Sequence, residues 1–298
     1  MTFSNNNPDK YIRTDLAAEF KTADGKGLKG VSFINRKYGK VNTAELIIED
    51  IESSEILSKP LGRYITITFD KLWLCSDEEI NHVVSVISAE LKLLVEKTTE
   101  NPESILIAGL GNQYITADSI GPQCVRNINV TRHIKEHNEA LFKKMDCLDI
   151  SSIVPGVVGQ TGIETLELIK GAVNNVKPSI LIVIDALAAR SIDRLAVTVQ
   201  LTDSGISPGS GIGNKRRAIN KDEIGIPVIA IGVPTVVDSS TLVYDTLERA
   251  GITELSDELS KVLDNGRSFF VSLKESDIAV TELAQVISRA INETFSVK

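Results

Sequence analysis

The sequence predicts an α/β protein with a mixed, largely parallel sheet flanked by helices, and with a small β-rich part near the N-terminus. After about residue 104, short runs of β-branched and aliphatic residues alternate with segments whose apolar residues recur at helical spacing. Before residue 75, three runs with partial alternation are separated by turn residues, which is typical of a β-meander. Strands that alternate with helices indicate parallel pairing and helices on both faces of the sheet.

The individual elements follow from these patterns in chain order. We expect strands at 30–38, 41–48 and 63–69, then a helix to about residue 96 that begins with a capping box of Ser76 and Glu79. The alternating part is expected to contain strand 104–108, a helix around 125–137, strand 148–154, helix 163–176, and strands 180–184, 195–201 and 227–231. Thr161 and Glu164 predict a second capping box, and strand 269–273 with helix 277–292 ends the pattern.

Composition and charge narrow the class of protein. Of the 298 residues 42% are hydrophobic, which is enough for a sizeable core. The net charge of −8 argues against broad binding to nucleic acid. Cys75, Cys124 and Cys147 have no CxxC spacing, so we expect neither disulfides nor a zinc site, and no cofactor motif is complete. The N-terminus lacks the apolar segment of a signal peptide and no apolar run approaches the ~20 residues of a membrane span, which predicts a cytoplasmic protein.

Four loops that follow predicted strands are candidates for a site, because open α/β sheets bind ligands beyond the carboxyl ends of their strands. They are residues 109–122, 155–165, 185–191 and 202–216. The known motifs in them are incomplete. GLGN lacks the third glycine of a dinucleotide fingerprint, since Tyr114 stands there, and GISPG places Pro208, which has no N–H, after the serine of a nucleophile elbow. The triplet that begins at Asp203 occurs once, whereas pepsin-like proteases need two.

Two carboxylates in these loops are the strongest catalytic candidates. Asp185 follows five apolar residues of a predicted buried strand, and a carboxylate at such a strand end must find donors or a partner. If Asp118 shares a partly desolvated pocket with it, one pKa rises and the pair offers a general base and a general acid. Such a pair can activate water against a peptide carbonyl. Glu164, Asp203 and Arg190 are candidates for lining the same site.

The sequence resembles the germination protease family of spore-forming bacteria. The matching segments, in order, are YIRTDLAAE, GLGNQYITADSIGPQCV, NVTRHI, SSIVPGVVGQTGIET, IDALAARSIDRLAVTVQLTDSGISPGSGIGNKR and IGIPVIAIGVPTVVD. The resemblance implies an atypical aspartic-type endopeptidase, with a fold similar to that of hydrogenase maturation endopeptidases and with Asp118 and Asp185 as its functional aspartates. It also implies small acid-soluble spore proteins as substrates, and a homotetrameric zymogen in the forespore and spore core.

The resemblance further implies a processing site. Family substrates are cut after an acidic and before an apolar residue, in a context like Thr-Glu-Phe-Ala-Ser-Glu, and residues 14–19 read TDLAAE. We therefore expect self-processing between Asp15 and Leu16. Residues 1–15 would be a propeptide-like segment, and 16–298 a single protease domain with a β-rich part at 16–75. The segment 245–267 is shorter than in many family members.

Two other functions stay open on the sequence alone. The carboxylates could hold a divalent metal, together with His133, as the hydrogenase-maturation relatives suggest; metal analysis and a chelator would test this. His133 and His137 are spaced i, i+4, but the glutamate of a metalloprotease motif is missing between them. Alternatively, the chain is an inactive homologue whose Gly-rich loops hold a peptide, in which case peptide binding would persist without cleavage.

Overall fold

The computed structural model describes residues 11–19, 28–209, 216–252, 255–265 and 269–295. These residues form one nine-stranded mixed sheet with helices packed against it, so the predicted α/β class is confirmed. The strands are β1 Val31–Tyr38, β2 Val41–Ile48, β3 Gly62–Thr68, β4 Ser104–Gly109, β5 Asp149–Ile153, β6 Ile180–Ala189, β7 Thr198–Thr202, β8 Val228–Asp238 and β9 Phe270–Ser272. The helices are α1 Ile51–Leu57, α2 Asp77–Thr98, α3 Ile120–Val125, α4 Arg132–His137, α5 Glu139–Met145, α6 Val158–Thr161, α7 Thr165–Val176, α8 Lys221–Ile224, α9 Ser239–Arg249, α10 Asp257–Asn265 and α11 Ser276–Phe295.

The sheet has an antiparallel half and a parallel half. The strand order is β1-β2-β3-β7-β8-β6-β4-β5, with β9 paired to β8. Strands β8, β6, β4 and β5 pair in parallel, whereas β1, β2, β3, β7 and β8 pair antiparallel. The β-rich N-terminal part thus continues the same sheet through the β3–β7 pair, and β8 joins the two halves.

The core lies on both faces of the sheet. Ile105 and Ile107 of β4 point to one face, where they join a cluster with α2, α3 and α11. Leu106 and Ala108 point to the other face, toward α7. Burial on both faces explains why the central parallel strands read as continuous apolar runs. No helix in the described ranges combines the length and the apolar character that a membrane span requires.

Local signals at the start of α2 are confirmed, and others are not. Ser76 Oγ accepts the N–H of Glu79, and the Glu79 carboxylate receives the Ser76 N–H, as the capping box predicts. The second capping box is wrong: Thr161 ends α6, and α7 begins after Glu164, whose side chain caps nothing. Gly162 has a φ of 70° and caps the end of α6, so Thr161 belongs to that helix and is not the N-cap of α7.

The helix predicted around 125–137 is interrupted. Helix α3 ends at Val125 and α4 begins at Arg132. Between them the N–H of Thr131 donates to Ile150 O at 2.9 Å, and its hydroxyl donates to Leu148 O. Thr131 therefore donates its hydrogen bonds to residues at the start of β5, and its backbone N–H is not available for a continuous helix.

Strand β6 is longer than the predicted strand 180–184, and the expected loop 185–191 is largely strand. Its neighbour β4 stops where Gly109 lies opposite Ile184. On the other side, β6 continues along β8, with Asp185 opposite Gly232. A crevice therefore opens beside Asp185, where one neighbouring strand has ended and the other has not.

Helix α3 packs against the sheet through Gly121. A Cβ on Gly121 would lie 2.3 Å from Leu110 O and 2.6 Å from Ile184 O, and these backbone atoms cannot give way easily. We expect Gly121→Ala to lower the free energy of unfolding by about 1–3 kcal/mol in denaturant titration. Gly171→Ala in α7 is the control, because a Cβ there meets nothing within 4 Å, and it should add about 0.5–1 kcal/mol. Similar effects of the two changes would contradict this packing.

Candidate active site

A cavity of about 460 Å³ lies beyond the carboxyl end of β4, beside the second half of β6. Both predicted catalytic carboxylates, Asp118 and Asp185, line it, together with Asp15 from the N-terminal segment and Arg216. The location agrees with the rule that α/β sheets bind ligands beyond their strand ends. These four side chains come from four separate parts of the chain.

Asp118 is positioned by a tight loop after β4. Gly111 has a φ of 108°, and a Cβ there would lie 2.0 Å from Asp118 O, so only glycine lets the loop fold back this closely. The half-buried Asp118 accepts the N–H of Asn112 at Oδ2, 2.8 Å away. Desolvation raises the pKa of Asp118, while the Asn112 N–H and the positive charge of Arg216 oppose that rise.

Asp185 is buried within β6, with 5% of its surface exposed. Its Oδ1 accepts the N–H of Ala186 at 2.9 Å. Desolvation raises the pKa of Asp185 well above the ordinary value, and the negative charges of Asp118 and Asp15 raise it further. The cavity therefore contains two carboxyl groups of unequal acidity, which is the arrangement that general acid and base chemistry requires.

The N-terminal segment 11–19 is docked beside this pair. The N–H of Asp15 donates to Ala188 O, and the N–H of Ala188 donates to Asp15 Oδ2, each at 2.9 Å. Leu16 is fully buried in an apolar cluster that includes Leu187 and Ala189 of β6. The segment is therefore held on β6 by one backbone hydrogen bond, by the Asp15 carboxylate and by the burial of Leu16, and residues Ala17–Glu19 continue as a short 3₁₀ helix.

Further along the segment, Glu19 fixes the chain to the end of β6. Its carboxylate receives the N–H of Arg190 at 2.7 Å and that of Ser191 at 3.0 Å. The hydroxyl of Thr14 also donates to Glu19, and it accepts the N–H of Leu16 at 3.0 Å. These bonds shape residues 14–19 around the Asp15–Leu16 peptide bond.

The three candidate lining residues are placed around the cavity and not in its wall. Glu164 is exposed at the start of α7. Asp203 accepts the N–H of Arg63 at 2.7 Å, which joins the end of β7 to the start of β3. The guanidinium of Arg190 binds Asp245 and Glu248 of α9, so only its backbone N–H reaches the docked segment.

Several residues around the cavity carry no sequence signal that would have identified them. Arg216 is the last residue of the predicted Gly-rich loop 202–216. Residues 210–215 of that loop lie outside the described residues. Thr235 lies inside β8, and its hydroxyl donates to Ala117 O at 2.6 Å, next to Asp118. A threonine in a β-strand is common, so only the fold reveals this contact.

The described residues do not bring a metal-ligand set together. No group of three or more His, Cys, Asp and Glu side chains within these residues could hold a metal ion. His133 and His137 are exposed on α4, and neither lines the cavity.

Comparisons with known proteins assign the class. The acidic cavity with the N-terminal segment beside it is compatible with a peptidase, and the family match establishes that class. The chain belongs to the germination protease family, whose family model matches residues 12–261. It is therefore an endopeptidase with a protease role in spore germination.

Two bacterial germination proteases agree with this assignment. The germination protease of Caldanaerobacter subterraneus subsp. tengcongensis is 39% identical, over 94% of this chain and 93% of the relative. That of Bacillus mycoides is 41% identical, over 80% of this chain and 67% of the relative. Among solved structures, the [NiFe] hydrogenase maturation protease HycI of Thermococcus kodakarensis aligns with a TM-score of 0.35 at 15% identity, over 66% of this chain and 98% of HycI.

The raised pKa of Asp185 predicts a pH-dependent gain in stability when the charge is removed. A carboxyl whose pKa is raised on folding stabilises the fold below the unfolded pKa of about 3.9, and this contribution is lost as the pH rises through the folded pKa. Asp185→Asn keeps the oxygen that accepts the Ala186 N–H, and its side chain does not ionise, so stability is no longer lost as the pH rises. We expect thermal unfolding to show a higher midpoint for Asp185→Asn than for the unaltered chain at pH 7, and no such difference near pH 4.

The control for this measurement is Asp193→Asn. The Asp193 side chain is 72% exposed, so its substitution should give no comparable gain at either pH. A gain for Asp185→Asn that is equal at pH 4 and pH 7 would argue for a packing effect instead of a titration.

Proposed function

We propose that the protein is an aspartic-type endopeptidase in which Asp118 and Asp185 activate a water molecule for attack on a peptide carbonyl. One observation carries the proposal: Asp15, the residue before the predicted processing bond, lines the same cavity as both carboxylates. The presence of a peptide segment in this cavity also favours cleavage of protein chains over a small-molecule substrate.

The unequal acidities suggest which carboxyl has which role. Asp185, buried and next to two other carboxylates, holds the proton and serves as the general acid. Asp118, which accepts the Asn112 N–H and has Arg216 nearby, is the ionised group and serves as the general base. Asp118 takes a proton from water as the water oxygen bonds to the carbonyl carbon, and Asp185 then gives its proton to the departing amine.

The docked segment supports a zymogen that processes itself. As long as residues 11–19 are docked, Asp15 occupies part of the cavity wall and Leu16 fills the adjoining apolar cluster. A substrate segment with the same pattern of an acidic, an apolar and a final acidic residue would compete for these contacts. Release of residues 1–15, of which 1–10 lie outside the described residues, would open the cavity.

The finer expectations from the family resemblance are part of the same proposal. Small acid-soluble spore proteins are the proposed substrates, and the forespore and spore core are the proposed location. A homotetramer is proposed as the assembly state. Exposed apolar side chains such as Ile34, Ile51 and Ile56 offer surface for contacts between copies, and sedimentation analysis would test the assembly.

Catalysis by the two carboxylates can be tested by removing each charge. We expect Asp118→Asn and Asp185→Asn each to lower kcat on a purified small acid-soluble spore protein by about 10²- to 10⁴-fold, because each variant lacks one proton-transfer group. Cleavage is measured by gel and mass spectrometry. Asp193→Asn, on the exposed surface, should cleave at the normal rate. Near-normal turnover in both site variants would rule out this mechanism.

Self-processing predicts a new N-terminus at Leu16. Because Asp15 lines the same cavity as Asp118 and Asp185 of its own chain, the reaction should be first order and independent of protein concentration. N-terminal sequencing and intact-mass measurement over a tenfold concentration range, at mildly acidic pH, would follow it. A rate that rises in proportion to concentration would mean that one molecule cuts another.

A further inference from the structure

The carbonyl oxygen of Asp15 is bound by two side-chain donors. Lys59 Nζ lies 2.8 Å from this oxygen, and Gln200 Nε2 lies 3.3 Å from it. Lys59 follows α1 and Gln200 lies on β7, so both belong to the antiparallel half of the molecule. This carbonyl belongs to the Asp15–Leu16 peptide bond, which the proposed function expects to be cleaved.

Gln200 contacts the segment on both sides of that bond. While Nε2 donates to Asp15 O, Oε1 accepts the N–H of Ala17 at 2.7 Å. The side chain is buried, with 5% of the residue exposed, so its amide has few other orientations open to it. A single amide group therefore fixes the carbonyl orientation of Asp15 relative to the residue that follows Leu16.

Lys59 is held in place through its own backbone. Its N–H donates to Ser54 O at 3.1 Å, and its carbonyl accepts the Ser54 hydroxyl at 2.6 Å. The next carbonyl, that of Pro60, accepts the Tyr64 hydroxyl at 2.7 Å. Desolvation lowers the pKa of Lys59, and the carboxylates of Asp15 and Glu19 oppose that change. A donor that is poorly solvated and fixed in position interacts strongly with charge that develops on its acceptor.

We propose that Lys59 and Gln200 form the oxyanion-binding site of this protease. The inference rests on the proposed function. When the water oxygen bonds to the Asp15 carbonyl carbon, the π electrons of the C=O bond move to oxygen, and the N–H groups of Lys59 and Gln200 bind the resulting negative charge. When the C–N bond breaks, these electrons reform the carbonyl, the bonding pair goes to Leu16 N, and that nitrogen takes a proton from Asp185.

The same donors would act on protein substrates. A substrate that docks as residues 14–19 do presents the carbonyl of its acidic residue to Lys59 and Gln200. The antiparallel half of the sheet then supplies the electrostatic stabilisation, and the parallel half supplies the acid and the base. Neither donor lies in the four loops at the strand ends that the sequence singles out.

Self-processing of the full chain separates catalysis from docking, because the bond is already bound and the rate constant reports the chemical step. We expect Lys59→Met to lower this rate constant by about 100-fold or more, the usual effect of losing one oxyanion donor. Gln200→Glu, which keeps an acceptor for Ala17 and loses the donor to Asp15, should lower it by about 10- to 100-fold. Lys143→Met, on the exposed face of α5, is the control and should process normally.

Two further readouts exclude a merely structural role. Amide hydrogen exchange at Ala188 and Ala17 reports docking, and both amides should remain protected in the slow variants. Added methylammonium should partly restore processing in Lys59→Ala, because it returns a donor to the vacated position.

The outcomes distinguish this inference from the proposed function. Failure of the unaltered chain to process would contradict the proposed function itself. Normal processing by Lys59→Met and Gln200→Glu, in a chain that does process, would overturn only the oxyanion site. A slow variant that has also lost protection at Ala188 would overturn it too, since Lys59 and Gln200 would then only hold the segment.

Discussion

The end of the β4–β6 pairing at Ile184 is the constraint on which the rest of the site depends. Up to Ile184, strand β6 has a neighbour on each side, and its residues are apolar because both faces are covered. From Asp185 onwards only β8 accompanies it, so a polar group can be buried there and still face a cavity. The same residue could not be tolerated two positions earlier, where no donor or solvent-filled space would meet its carboxylate. Chain topology thus determines where the acidic group stands and why its pKa is raised.

The two halves of the sheet have different parts in the site. The parallel half provides Asp118, on a loop that Gly111 allows to fold back, and Asp185, on β6, which extends beyond the end of β4. The antiparallel half provides Lys59 and Gln200, which approach the docked segment from its other side. Because β8 pairs with both β6 and β7, the spacing between Asp185 and Gln200 is set by the hydrogen bonds of one continuous sheet. The β-rich N-terminal part is therefore integral to the site.

The sequence predicts the fold class and the two central carboxylates because each produces a pattern in neighbouring residues. Hydrophobic periodicity identifies most strands and helices, and Asp185 is conspicuous directly after an apolar run. The sequence predicts only the first half of β6, because the second half depends on pairing with β8, which is distant in sequence. The catalytic role of Asp118 and Asp185 remains a prediction.

A position in a predicted loop is a weaker indicator of a site residue than a position in the folded sheet. Glu164, Asp203 and Arg190 lie in the loops that the sequence predicts at strand ends, yet none of them lines the cavity. Glu164 is exposed, Asp203 binds the start of β3, and Arg190 binds α9. Lys59, Gln200, Arg216 and Thr235 have ordinary sequence surroundings, and only the folded chain brings them to the site. Contacts between residues far apart in sequence are not visible in local patterns.

The burial of Leu16 has a consequence for the direction of processing. In the intact chain its backbone nitrogen is an uncharged amide that donates to Thr14, and its side chain is fully enclosed. Hydrolysis of the preceding bond would turn that nitrogen into an ammonium group beside the enclosed Leu16 side chain, and would leave a new carboxylate on Asp15 next to Lys59. An ammonium group is costly to bury, so the new terminus would move into water. Rejoining of the two ends would then require that charged terminus to be buried again, which would make activation a one-way step.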